Sequence, residues 1–158
     1  MAYIPAKLRQ QVAERAHYRC EYCQSAERII SGPLQVEHIH PETKGGITAL
    51  LNLAYACSRC NLHKWIRTHY RDPVSQRTVL LLNPRTQQWS RHFAWSPDGT
   101  LILGRTRTGR ATVLALKLND PSIVMSRSFW VSLGIHPLTG GNDDSLLQNN
   151  VPGASRNA

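Results

Sequence analysis

Four cysteines stand in two identical spacings, Cys20-Glu-Tyr-Cys23 and Cys57-Ser-Arg-Cys60, with 33 residues between the pairs. Four thiolates satisfy the tetrahedral preference of zinc, and paired Cys-x-x-Cys knuckles are a spacing from which closed structural sites are built. Between the knuckles lies QVEHIHPETKGG, which places Glu37, His38 and His40 within four positions. An imidazole titrates near neutral pH, so a histidine here suits proton transfer or metal ligation. Side chains alternate along a strand, so His38 and His40 share a face and Glu37 takes the other. That pattern suggests a two-histidine site. Glu37 and His38 converge instead only if the strand bends or ends, which Pro41 and Gly45-Gly46 permit. After the second knuckle come Asn61, His63 and Lys64. On a helix Asn61 and His63 diverge by about 200°, so one site can take only one of them, whereas Lys64 shares a face with Asn61.

These side chains need elements to position them. Residues 5–17, PAKLRQQVAERAH, read as a helix with Pro5 at its first position. LQVEHI (34–39) reads as a short strand ended by the PETKGG loop, and residues 61–69 as a helix that starts at the second knuckle. Beyond Asp72-Pro73, the stretches 79–84, 89–96 and 100–106 read as strands, the last two joined by the turn SPDG. Residues 109–119 and 121–133 read as helices, the second opened by Pro121. The polar tail 139–158 has the composition of a disordered segment. Four parts follow: an N-terminal helix (1–16), a zinc-bearing core (17–72), an α+β extension (73–138) and the tail (139–158). Trp65, Trp89, Trp95 and Trp130 are expected to pack between elements.

Charge narrows the partners. Nineteen Lys and Arg against ten Asp and Glu give +9 and a pI near 10, and most of the cations are arginine, which suits bidentate contact with phosphate. A polyanion is the expected partner, and DNA the leading one. No apolar run approaches a membrane span and the N-terminus lacks the apolar stretch of a secretory signal, so a cytoplasmic protein without membrane contact is expected. That setting disfavours disulfides and supports zinc.

Taken in order, C-x-x-C, Glu37-His38-Ile39-His40-Pro41, Gly45-Gly46, Asn52-Leu53, C-x-x-C-Asn61 and Lys64 resemble the HNH endonuclease family, with its ββα-metal core and two zinc knuckles. The resemblance covers roughly residues 17–70. LNPRTQQWSRHFAWSPDG and GRATV are similar to the C-terminal extension of a cyanobacterial-type subgroup of that family, a likeness that assigns them no role. The fold implied is α+β, a zinc-stapled ββα-metal core followed by a small hairpin and helix extension. The resemblance implies His38 as general base, Glu37 and Asn61 as ligands of a catalytic divalent ion, and Asn52 as the central residue that braces the loop. It favours Asn61 over His63 as the third motif residue. The family most often has Asp before the base, where this chain has Glu37. Oxygen donors point to Mg²⁺ or Mn²⁺, in addition to structural Zn²⁺ at Cys20, Cys23, Cys57 and Cys60. His40, His63 and Lys64 are accessory candidates, and Lys64 has the reach to contact a phosphate oxygen.

The function expected is metal-dependent hydrolysis of DNA phosphodiester bonds. The competing reading is a zinc-containing module that binds nucleic acid without cutting it. Neither target sequence nor oligomeric state is legible.

Overall fold

The computed structural model describes residues 3–30 and 32–137. The tail expected to be disordered lies outside them. The chain is α+β, and its strands form three two-stranded antiparallel sheets among the described residues.

The first helix, α1 (Ala6–Arg15), begins after Pro5, which caps it instead of occupying its first turn. Val12 and Ala13 form its buried side, with Ala16 just beyond. They pack on a sheet of β1 (Gln35–His38) and β2 (Leu53–Ala56), paired Gln35 with Ala56 through His38 with Leu53. The β2 sequence LAYA is buried at every position, so it reads as a continuous apolar run and not as an alternation. Its first residue is clamped to α1, because Arg15 donates to the carbonyls of Leu50 and Leu53 at 2.7 and 2.6 Å.

Helix α2 (Ser58–Lys64) starts at the second knuckle as expected but stops five residues early. Trp65 turns the chain with φ 46°, releasing residues 66–68 to lead into β3 (His69–Arg71). Trp65 is consequently 67 % exposed and does not pack between elements. Strand β4 (Thr78–Leu80) pairs with β3, whose first residue the sequence pattern places at the end of a helix.

In the extension, WSRH forms a short helix, α3 (Trp89–His92), instead of the start of a strand. Strands β5 (Phe93–Trp95) and β6 (Ile102–Gly104) make the hairpin around SPDG. Helix α4 (Arg107–Ala115) is capped by Thr106, whose hydroxyl accepts from the Gly109 amide at 3.0 Å. It lies so close to α3 that a Cβ on Gly109 would stand 2.1 Å from the His92 carbonyl oxygen. Helix α5 (Pro121–Ser132) has Pro121 in its first turn and Asp120 as its cap. One core joins both halves: Val12, Tyr22 and Leu53 belong to the same buried cluster as Leu82, Phe93, Ile102 and Leu116. Trp89 links them further, donating its indole N–H to the Tyr22 carbonyl at 2.9 Å. No helix of the described residues is long and apolar enough to cross a membrane.

Candidate functional site

The two knuckles meet. Cys20, Cys23, Cys57 and Cys60 are all buried, and their sulfurs lie within 4.8 Å of one another. Zinc–sulfur bonds of about 2.3 Å in a tetrahedron would set the sulfurs about 3.8 Å apart. The Cys23 and Cys57 sulfurs are separated by 3.8 Å, so the donor set fits zinc. Local structure dictates this geometry. Cys57 caps α2, its sulfur accepting from the Cys60 amide at 3.4 Å, which puts both second-knuckle sulfurs at one helix end. The first knuckle turns back through Gln24 at φ 60° and closes with an Arg19–Ala26 bridge. Without a cation the four thiols could not all ionise. Burial pushes the Cys20 thiol well up, and hydrogen bonds with neighbouring thiols do the same to Cys60. Arg59, Lys117 and Arg127 line a small cavity against Cys23, Cys57 and Cys60. A zinc tetrathiolate carries a charge of about −2, so these cations have the complementary sign. Arg127 is fully buried, and its Nε and Nη2 have no hydrogen-bond partner among the described residues.

Strand alternation then separates the motif residues. Glu37 points to the side of the first knuckle and is 5 % exposed. Tyr22 donates its hydroxyl to Oε1 of Glu37, and Lys64 donates to Oε2 at 2.8 Å. Lys64 also donates to the His38 carbonyl at 2.9 Å. Burial, and then the neighbouring Glu37 carboxylate, push the Tyr22 hydroxyl well up, so it stays a donor. Knuckle, strand and α2 are thus joined by a buried carboxylate whose two oxygens are both engaged.

His38 faces the other way, into the loop that follows β1. Its Nε2 lies 2.9 Å from the Thr48 hydroxyl and 3.6 Å from Oε1 of Glu42. Thr48 in turn donates to Glu42 at 3.3 Å, so a carboxylate and a hydroxyl orient one edge of the imidazole. Asn52 pins this loop. Its side chain accepts from the His40 amide at 2.8 Å and donates to the carbonyls of His40 and Ile47, both at 2.9 Å. The loop packs so tightly at Gly46 that a Cβ would stand 1.8 Å from the His40 carbonyl oxygen. His40 itself is exposed and donates from Nε2 to the Lys44 carbonyl at 2.8 Å, since a carbonyl can only accept.

On α2, Asn61 donates its amide to the Gln35 side chain at 2.5 Å. Gln35 and Glu37 share a strand face, so Asn61 and Lys64 both address the Glu37 side of β1. His63 lies elsewhere, with Lys117 and Arg59 of the zinc surroundings, and burial pushes its imidazole down. The structure therefore groups Glu37, Lys64 and Asn61 on one side, and His38, His40 and Asn52 around the loop on the other. Tyr22, Glu42 and Thr48 join these groups without any signal in the sequence. Nothing in their spacing marks them, because each reaches its partner through folded contacts.

With this geometry in place, residues 20–65 match the family model described as HNH endonuclease. No curated protein and no solved structure matches the chain.

Proposed function

We propose that residues 20–65 hold the catalytic centre of an endonuclease that hydrolyses DNA phosphodiester bonds, with His38 as general base. The observation that carries this reading is an imidazole at the end of β1, oriented by Thr48 and Glu42 of a loop pinned by Asn52, within the segment that matches the HNH endonuclease model. His38 would take a proton from the attacking water as the new P–O bond forms. The P–O3′ bond breaks and the leaving oxygen is protonated, giving 5′-phosphate and 3′-hydroxyl ends.

Glu37 and Asn61 are oxygen donors of the type Mg²⁺ or Mn²⁺ prefers, and they share one side of β1. When bound, such an ion supplies Lewis-acid stabilisation of charge on the phosphate. Each Glu37 oxygen already accepts a hydrogen bond, and the carboxylate lies on the side of β1 opposite His38, so an ion on Glu37 and Asn61 would serve the phosphate at His38 only after these side chains rearrange. A cytoplasmic setting suits four cysteines kept as thiols for zinc.

The test is nicking of supercoiled plasmid with Mg²⁺ or Mn²⁺. His38→Ala should lower the rate by about 10²–10⁴-fold. Equal cutting by the variant and the parent removes His38 from the chemistry. The second reading is a zinc module that binds nucleic acid without cutting, and the buried Glu37–Lys64 pair favours it, since binding needs no free carboxylate. Duplex binding without cleavage across a panel of divalent ions would select it.

A further inference from the structure

Strands β3 and β4 form a ribbon with two unlike faces. The register pairs His69 with Leu80, Tyr70 with Val79 and Arg71 with Thr78. Alternation puts Tyr70, Asp72 and Val79 on one face and His69, Arg71, Thr78 and Leu80 on the other. The first face is anchored. Asp72 is fully buried and accepts two hydrogen bonds from the Arg110 guanidinium of α4, at 2.8 and 2.9 Å. That guanidinium holds the Asp72 carboxyl well below the usual carboxylate range. Asp72 also accepts from the Ser75 amide and hydroxyl, which fixes the turn between the strands.

The second face is exposed at every position. Arg71 spends only Nε, on the Gln76 carbonyl, and leaves its terminal nitrogens free among the described residues. The Arg77 side chain, exposed at the end of the turn, has no hydrogen-bond or ion-pair partner among the described residues. Asp72 is the sole acid from residue 67 to residue 80, and Arg110 neutralises it, so nothing on the ribbon offsets Arg67, Arg71 and Arg77. The outer face runs towards the loop that follows the candidate base. His69 and Leu80 line a cavity of about 390 Å³ together with His40, Lys64 and Arg67.

We propose that the outer face and turn of the β3–β4 ribbon grip the DNA duplex, with Arg71 of the face and Arg77 of the turn on phosphates and His69 leading towards the loop. A rigid two-stranded ribbon with free guanidinium groups has the shape and charge that a duplex backbone accepts. The duplex as partner rests on the nuclease reading given above. The role of the ribbon is separable from it, because binding can be measured without cleavage.

The experiment titrates the full-length zinc-loaded chain into a fluorescein-labelled DNA duplex, by anisotropy, without added Mg²⁺ or Mn²⁺ and at several salt concentrations. Arg71→Gln with Arg77→Gln should weaken binding at least tenfold. The plot of log affinity against log salt should become less steep by about 2, one for each phosphate that is no longer neutralised. Lys7→Gln with Arg9→Gln, on α1 away from the ribbon, removes the same net charge and should leave that slope unchanged. Equal weakening in the ribbon and control variants would overturn the proposal, as would a preference for duplex RNA with the same arginine dependence. A parent that binds duplex through these arginines but cleaves no substrate would refute the nuclease reading and leave the ribbon standing.

Discussion

Strand β1 stands between two regions built on opposite principles. On one side Glu37 joins the first knuckle and α2 in a buried network beside the cysteine cluster. On the other, His38 enters a loop held by hydrogen bonds from one amide side chain to backbone groups. On the Glu37 side the phenol donates to the carboxylate, and the ammonium donates both to the carboxylate and to the His38 carbonyl. The loop side has an oriented imidazole and an exposed His40 at its surface. Glu37 is less available than His38, because it is buried and each of its oxygens already accepts a hydrogen bond.

The comparison breaks first at the cysteines. Stripping zinc by a chelator, or changing Cys57 to Ser, should remove on the order of 10 kcal/mol from the folded state of the first half. Circular dichroism should lose its cooperative transition there, together with about one bound zinc per chain by metal analysis. Retained metal with an unshifted transition would show that the knuckles are incidental.

A smaller effect is expected between the two regions. Lys64→Met strands the Glu37 carboxylate in the core and should cost about 3–5 kcal/mol in urea unfolding. Lys64→Met combined with Glu37→Gln should recover part of that loss, since the unpaired charge is gone. The same double variant tests Glu37 as a ligand, because Mn²⁺ affinity measured by calorimetry should fall with it. Affinity equal to the parent's would place the ion elsewhere.

The smallest effect belongs to the loop. Asn52→Ala should lower stability by only about 1–2 kcal/mol, because water replaces some of the hydrogen bonds its side chain makes. Amide exchange at His40 should nevertheless rise strongly while the amides of β2 stay protected. Uniform acceleration across both would mean that loop and core open together.

The cysteine cluster is legible because spacing alone announces it, whereas Asn52 is singled out only by the resemblance to the HNH motif. Helix α5 is legible through Asp120 and Pro121, whose start signals are local. The sequence extends α2 too far because its end depends on Trp65 adopting a positive φ, which no local residue type demands. Strand β2 is hidden because LAYA carries no alternation, being buried on both faces. Tyr22, Glu42 and Thr48 are silent for a related reason. Their partners lie 15, 4 and 10 residues away, and ordinary side chains acquire meaning only when those distances collapse.

Residue type and spacing alone carry the four-cysteine cluster, the basic character and the order of the motif. Which motif residues meet depends on folded contacts. Alternation along β1 sends Glu37 to a buried pair with Lys64 and His38 to the loop, while the anchoring of Asp72 to Arg110 turns Arg71 of the ribbon outward. The physical reason is that a side chain's direction is set by the backbone, but its availability is set by what the rest of the fold has already bonded to it.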